Sequence, residues 1–266
     1  MSPIGIIAGG GVLPIDCAKA INISGQESIV AAHLSDTDKE IEKVASKVSW
    51  IKAGQLGKIS RWFKRNHVRR IYFAGGITRA RIFTSFFPDI HAIKILLRVK
   101  TNHDDSILSG VCRFFQEQGF EIGHIREVLP NYVPSKGVCT AQAFSTEDRE
   151  SIVIGINAAK KLGELDIGQA VMVANKTVVA VEAVEGTASM IERVEKLEIP
   201  GSILIKMSKP MQDLRVDLPS IGPDTIKQLL KAKARGVVIE AERSLMLEPQ
   251  TTIEEANKGN LIIEVW

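Results

Sequence analysis

Short apolar runs alternate with amphipathic stretches through the first 130 residues of the chain. Apolar runs of this length, separated by segments with helical periodicity, predict an alternating α/β arrangement around a parallel sheet. The predicted strands are residues 4–8, 28–33, 48–53 and 70–75. We therefore expect an N-terminal Rossmann-like domain.

The same alternation resumes after a break at residues 130–137, which contain two prolines and a glycine and have no periodicity. Such a segment is typical of a linker. Beyond it the pattern predicts helices at 151–162, from 188 and at 226–234, a hairpin turning near Asn175, and strands at 202–207, 236–242 and 261–266. We predict two α/β domains, 1–130 and 138–266, joined by the linker 131–137.

Glycine turns follow two of the predicted strands in the first half. At a strand-to-helix junction, glycines let backbone N–H groups approach an anion, and the helix N-terminus adds positive charge. The dinucleotide pattern G-x-G-x-x-G fails at its third glycine, where Pro14 stands, and this disfavours NAD. The alternative is that the turns only connect elements. The turn residues are Gly9, Gly10, Gly11, Gly75 and Gly76.

A proline-rich polar loop occupies residues 209–226, where neither helical nor strand periodicity is present. Asp213, Arg215 and Asp217 stand at alternate positions, which predicts that their side chains point the same way. An arginine fork suits phosphoryl oxygens, and carboxylates suit Mg²⁺. The alternative is a surface cluster of ion pairs, which would contribute little to stability.

Three polar clusters lie at predicted strand ends of the second domain, and we expect its functional site at this edge of the sheet. The clusters are residues 166–169, 182–187 and 240–243. Thr187 has an alternative role as the cap of the following helix. No histidine has metal-ligand spacing, and no G-x-S-x-G nucleophile motif is present. A Mg²⁺ ion held by carboxylates is then the simplest hydrolytic apparatus, and it indicates phosphoryl chemistry.

The composition narrows the class of protein further. The chain has 266 residues, 45% of them hydrophobic, and a formal charge of +3, far less basic than expected of a nucleic-acid binder. We therefore expect a small anionic partner and no nucleic acid. Three separated cysteines predict neither disulfides nor a zinc site, and hence a cytoplasmic location. No apolar run is long enough to predict a membrane span or an export signal.

Residues 77–100 mix apolar bulk with positive charge. One interpretation is a surface that touches acyl chains and anionic head groups, and the other is a helix that faces the core. The sequence leaves both open.

Five motifs together resemble the LpxI-type UDP-2,3-diacylglucosamine pyrophosphatases over essentially the whole chain. They read IIAGGGVLP, FAGGITR, DIGQ, VEAVEGT and KPMQDLRVDLPSIGPDT. The resemblance implies a Mg²⁺-dependent hydrolase of lipid A biosynthesis that encloses its substrate between two domains and cleaves UDP-2,3-diacylglucosamine to UMP and 2,3-diacylglucosamine 1-phosphate (lipid X). In one departure, Ala188 stands where the family often has an acidic residue.

The resemblance also implies site residues. The aspartate of the family's R-x-D-x-P-x-I-G motif is Asp217, expected to be catalytic and a metal ligand, with Asp213 as a second metal or acid–base candidate. Lys209 and Arg215 are expected to neutralise phosphoryl oxygens, and the glycine turns to hold uridine or phosphate. The remaining expected substrate contacts are Leu13, Pro14, Gln169, Glu185, Gly186 and Thr187.

The expected surroundings follow from such a substrate. The protein is expected to make transient contact with the cytoplasmic surface of the inner membrane or with the next enzyme of the pathway. Two other classes stay open at this point, a noncatalytic UDP-sugar-binding protein and a nucleotide-dependent oxidoreductase.

Overall fold

The computed structural model of the chain describes residues 2–76, 87–98 and 104–266. The chain divides into two compact units, Met1–Pro130 with Asp213–Val216, and Asn131–Gln212 with Asp217–Trp266. Each unit has its own sheet and its own hydrophobic core. The predicted α/β class with two domains is confirmed.

A five-stranded parallel sheet forms the centre of the first unit. Its strands are β1 (Ile4–Ala8), β2 (Ser28–His33), β3 (Lys47–Ile51), β4 (Arg70–Ala74) and β5 (Glu121–Ile122). They lie in the order β3-β2-β1-β4-β5, and every pair is parallel. This order, in which the chain builds outward on one side of β1 and then on the other, is that of the Rossmann fold.

The described helices of the first unit each bury apolar side chains. They are α1 (Leu13–Ile23), α2 (Ile41–Val44), α3 (Leu56–Arg65), α4 (Ile90–Arg98) and α5 (Asp104–Glu117). Phe63 of α3 and Phe115 of α5 are fully buried, and both meet Phe120 edge to face. Because β1 and β2 are buried along their whole length, they read in the sequence as continuous apolar runs.

The second unit contains a mixed six-stranded sheet in the order β6-β13-β11-β9-β7-β8. The parallel strands β9, β11 and β13 lie next to one another, and β7 is antiparallel to both β9 and β8. A two-stranded sheet pairs β10 with β12. The strands are β6 (Gly137–Val138), β7 (Ala170–Ala174), β8 (Thr177–Val181), β9 (Ile203–Lys206), β10 (Ser220–Ile221), β11 (Gly236–Ile239), β12 (Leu245–Met246) and β13 (Ile262–Val265).

The helices of the second unit differ from the sequence prediction mainly at their ends. They are α6 (Thr146–Glu164), α7 (Gly186–Lys196), α8 (Pro223–Lys231) and α9 (Pro249–Lys258). Helix α6 begins at Thr146 rather than at residue 151, because Ser145 and Asp148 form a reciprocal capping box. Helix α9 was not predicted. Two short 3-10 helices, Ile125–Glu127 and Pro130–Tyr132, lie in the sequence close to residue 130.

Part of the apolar and basic stretch 77–100 can be compared with the structure, although residues 77–86 and 99–100 lie outside the described residues. In α4, Ala92 is buried and Ile95 packs on the core of the first unit, whereas Leu97 is 82% exposed. The described part therefore has a core-facing side and an exposed apolar side. No described helix combines the length and the apolar character needed to cross a bilayer.

Candidate active site

Four polar residues of the second unit meet at one edge of its sheet. Lys206 ends β9 and Glu240 follows the parallel strand β11, so both lie at carboxyl strand ends. Because β7 runs antiparallel to β8 and β9, Gln169 before β7 and Glu182 after β8 come to the same edge. The polar clusters 166–169, 182–187 and 240–243 thus share an edge, as the sequence predicts.

Asp217 joins this edge from the loop between β9 and β10. Its Oδ2 accepts a 2.6 Å hydrogen bond from Nε2 of Gln212, a side chain that is only 6% exposed. The same Nε2 lies 3.4 Å from Oε1 of Gln169. The carboxylate of Asp217 is therefore held in one orientation against the sheet edge.

A buried lysine lies behind this carboxylate. Nζ of Lys206 donates to the carbonyl oxygen of Ser220 at 2.9 Å, and the residue is almost fully buried. Burial lowers the pKa of Lys206, and the negative charges of Glu182 and Asp217 oppose that effect without outweighing it. The lysine therefore lies within electrostatic reach of two carboxylates, in a position largely closed to solvent.

Glu182 connects two of the predicted substrate-binding residues. Its Oε1 accepts from Oγ1 of Thr187 at 2.6 Å, and its Oε2 accepts from the backbone N–H of Gln169 at 3.1 Å. Thr187 therefore bonds to a buried carboxylate and does not cap α7, whose N-cap is Glu185. Glu185 instead pairs with Arg193 at 3.4 Å, and Gly186 has a left-handed φ of +82°.

Two further cations lie at this edge, Lys209 after β9 and Arg243 after β11. Nζ of Lys209 pairs with Oδ1 of Asp166 at 2.7 Å, and Lys209 is buried. Oγ of Ser208 donates to Glu240 at 2.6 Å and accepts from Nε of Arg243 at 2.7 Å. Lys209, predicted to neutralise phosphate, thus already has an acidic partner, and Arg243 adds a second cation at this edge.

The loop that carries Asp213, Arg215 and Asp217 contains a turn at residues 213–216. The backbone N–H of Val216 donates to the carbonyl oxygen of Asp213 at 3.0 Å, which closes a turn. Arg215 binds Asp213 through two hydrogen bonds of 2.9 and 2.6 Å. The side chains of Asp213 and Arg215 thus meet each other, and the common direction of all three side chains stays a prediction.

This pairing engages one of the two predicted metal ligands, Asp213. Hydrogen bonding by Arg215 lowers the pKa of Asp213 and keeps its carboxylate ionised. Asp213 and Arg215 belong to the first unit, whereas Asp217 belongs to the second. The carboxylate that forms part of the polar edge is Asp217.

The glycine turns of the first unit pack against each other. The backbone N–H of Gly10 donates to the carbonyl oxygen of Gly76 at 2.7 Å, and that of Gly9 donates to Ala74 at 2.8 Å. These two donors are therefore engaged within the fold. Gly11 has a left-handed φ of +87° and no heavy atom of the described residues near its Cβ position. Binding of uridine or phosphate at these turns stays a prediction.

The side chains of Leu13 and Pro14 are buried in the first turn of α1. A ligand at this turn would therefore meet their backbone rather than their side chains. Their predicted role in substrate binding is not decided by this placement.

Close contact between the turns makes Gly9 sensitive to substitution. A Cβ atom at Gly9 would lie 2.5 Å from the carbonyl oxygen of Gly76, so Gly9→Ala is expected to lower the free energy of unfolding by about 1–3 kcal/mol. Urea unfolding followed by circular dichroism measures the effect. Gly76→Ala is the control, since no described atom lies within 4 Å of its Cβ position. Equal stability of the two variants would contradict the expectation.

Cysteine and multi-ligand metal chemistry are not supported within the described part of the chain. The three cysteines are free, and burial raises the pKa of the Cys112 thiol to about 12. Among the described residues, no three His, Cys, Asp or Glu side chains form a group that could hold a metal ion. As oxygen ligands for a metal, this edge offers carboxylate and amide groups, beside the cationic side chains of Lys209 and Arg243.

Two residues of this edge were not selected from the sequence. Gln212 is a neutral amide in a charged loop, and only its position five residues before Asp217 in a turn-forming segment could have singled it out. Lys206 ends the apolar run 203–206, and a lysine at a strand end normally predicts a solvated side chain. Its burial depends on the loop that returns to β10, which no local pattern predicts.

Comparison with known proteins places the chain in a family. A family model described as the LpxI N-terminal domain matches residues 3–132, and one described as the LpxI C-terminal domain matches residues 135–264. The chain belongs to the LpxI family. It is 32% identical to the UDP-2,3-diacylglucosamine pyrophosphatase LpxI of Caulobacter vibrioides, over 99% of this chain and 97% of that protein.

Solved structures add little to this assignment. The biotin carboxylase domain of a thermophilic 2-oxoglutarate carboxylase is 11% identical and aligns with 74% of this chain at a TM-score of 0.30. A phosphoribosylglycinamide synthetase from Anaerococcus prevotii is 12% identical and aligns with 67% of it at 0.27. The chain spans 40% and 38% of those two chains, respectively. Scores this low carry no argument about fold or function.

Proposed function

We propose that this protein hydrolyses the diphosphate of UDP-2,3-diacylglucosamine and so acts as a hydrolase of lipid A biosynthesis. The observation that supports this most is the setting of Asp217. The residue stands in the motif R-x-D-x-P-x-I-G of a chain that matches the LpxI family from end to end, and Gln212 holds it beside the buried Lys206.

In the proposed reaction, the oxygen of water bonds to one phosphorus atom while the bond from that phosphorus to the bridging oxygen breaks. The bridging oxygen leaves on the other phosphate, and the protons of the water are released to solvent. The products are UMP and 2,3-diacylglucosamine 1-phosphate. Asp217 acts on the reacting groups. It is a half-buried carboxylate, and the amide of Gln212 holds one of its two oxygens. Lys206 acts from behind as a fixed positive charge, and Arg243 offers a guanidinium at the same edge. Preorganised charge of this kind is the main means by which enzymes assist phosphoryl transfer.

A Mg²⁺ ion fits this arrangement only if the substrate supplies part of its coordination. Asp217 is a single carboxylate, and Mg²⁺ is commonly bound by one or two carboxylates together with substrate phosphates. Asp217 would hold the ion together with oxygens of the diphosphate, and Asp213 stays a weaker candidate because Arg215 occupies its carboxylate. When bound, Mg²⁺ supplies positive charge to the diphosphate as the P–O bond breaks.

The two acyl chains of the proposed substrate lead to a further proposal about location. We propose that the protein collects its substrate at the cytoplasmic surface of the inner membrane and passes the product to the next enzyme of the pathway. Exposed apolar side chains on and beside α4, including Leu97, Ile90 and Phe87, support contact with a lipid surface.

A single assay tests the proposed activity. Purified protein is incubated with UDP-2,3-diacylglucosamine and Mg²⁺, then with EDTA, and then with excess Mg²⁺, while UMP and the lipid product are quantified. We expect equal amounts of both products with Mg²⁺, loss of turnover with EDTA and recovery on adding the metal back.

The outcomes of this assay separate the classes. Binding of the substrate without release of UMP would favour a noncatalytic UDP-sugar-binding protein, and binding of NAD would favour an oxidoreductase. Full activity in EDTA would leave the hydrolase in place but overturn the role of Mg²⁺.

A further inference from the structure

Gln212 has a more constrained setting than its place in a polar loop suggests. The residue is 6% exposed, whereas Met211 beside it is 87% exposed. A buried carboxamide has donors and an acceptor that must find partners inside the protein. The hydrogen-bond partners of Gln212 therefore indicate its role.

Both ends of the carboxamide are engaged. Its Oε1 accepts from the backbone N–H of Lys209 at 3.0 Å, so the amide nitrogen must face the other way. That nitrogen donates to Oδ2 of Asp217 at 2.6 Å and lies 3.4 Å from Oε1 of Gln169. The backbone at Lys209 thus determines which end of the amide meets the carboxylate.

We propose that Gln212 is a positioning residue for Asp217, an inference that rests on the proposed hydrolase function. The terminal torsion of an aspartate is soft, so an unsupported carboxylate rotates over a broad range. The hydrogen bond to Oδ2 fixes that rotation and directs Oδ1 toward the reacting groups. Oδ1 of Asp217 accepts no hydrogen bond from the residues that the structure describes.

The connection to Gln169 extends the same support to the sheet. Gln169 precedes β7, and its backbone N–H donates to the buried Glu182. Gln212 therefore connects the carboxylate of Asp217 to a rigid strand end rather than to other loop residues alone. A loss of such support displaces a reacting group by a fraction of an ångström to an ångström, which costs about 100-fold in rate.

Two variants that keep the volume of residue 212 test this inference. Gln212→Met removes the donor, and Gln212→Glu keeps an acceptor for Lys209 but turns a carboxylate oxygen toward Asp217. We expect kcat to fall about 100-fold in both, with KM for UDP-2,3-diacylglucosamine changed by less than about threefold. If Gln212 only filled space, both variants would keep their activity and only Gln212→Ala would lose it.

The controls keep the inference separate from the proposed function. Gln142→Met and Gln142→Glu change an exposed glutamine of the same unit that bonds to Asn260, and they should leave kcat unchanged. If the wild type releases no UMP, the proposed function fails. If the wild type is active, Asp217→Asn is inactive and the Gln212 variants keep kcat within about threefold, the inference alone is overturned. Should the Met variant melt below the assay temperature, the Glu variant decides.

Discussion

Asp217→Asn is expected to lower kcat for UMP release by about 10³-fold or more, with KM for the lipid substrate changed only a few-fold. Asparagine keeps the size of the side chain but loses its negative charge. Its amide end, if it faced Gln212, would also bring two donors together where one hydrogen bond of 2.6 Å now exists. The chemical step suffers, because the charge acts on the reacting groups rather than on the uridine or the acyl chains.

The measurement is steady-state UMP release together with equilibrium binding of the intact substrate to the inactive variant. Asp224→Asn is a suitable control, since Asp224 lies on α8 of the same unit with its side chain 94% exposed. Wild-type turnover in Asp217→Asn would remove Asp217 from the mechanism, whatever the family resemblance suggests.

Lys206→Met is expected to lower kcat about 100-fold while leaving the free energy of unfolding at pH 7 equal to or above that of the wild type. The two effects have opposite physical origins. The pKa of Lys206 is lowered because desolvation of the ammonium outweighs the attraction of Glu182 and Asp217, so burial of the charged lysine opposes folding. The activity, in contrast, depends on the positive charge of Lys206, although burial of that charge lowers the free energy of unfolding.

The pH dependence gives this prediction a second test. Burial lowers the pKa of Lys206 below its ordinary value of 10.5, so between the two pKa values the unfolded chain binds more protons than the folded one. The free energy of unfolding of the wild type should therefore rise with pH across that window relative to Lys206→Met. Urea unfolding at several pH values measures the difference.

A control for the lysine is Lys231→Met, which changes an exposed lysine at the end of α8. It should preserve both activity and stability. Unchanged kcat in Lys206→Met would show that its charge does not assist the reaction, and a marked loss of stability would show that attraction to the carboxylates exceeds the cost of burial.

Helices and strands whose own residues show a clear pattern of burial could be predicted from the sequence. Strands β1 and β2 are buried on both faces, so their apolar runs identify them without knowledge of their neighbours. The hairpin of β7 and β8 was also predicted, because two apolar runs flank Asn175 and Lys176. Helix α9 was missed, since its residues PQTTIEEANK include two threonines and only a narrow apolar face.

The candidate site was predicted less completely, because its geometry depends on contacts between distant segments. The edge clusters could be found from strand ends, and Asp217 from the resemblance of its motif. A backbone hydrogen bond turns the chain at residues 213–216, and the alternating pattern of charges did not predict that turn. Lys206 and Gln212 were missed because burial of a lysine and the partners of an amide are properties of the tertiary structure.

The hairpin that joins β7 to β8 has a consequence for how sequences of this kind can vary. Asn175 and Lys176 both have positive φ, as a two-residue turn between twisted strands requires, and pairs such as Val171 with Val181 depend on that turn and on the irregularity after Met172. An insertion or deletion in this turn would shift the register of β8 against β7. Glu182 would then lose its position beside Gln169 at the other end of the two strands. Homologous chains should therefore tolerate many residue types at this tip but preserve its length.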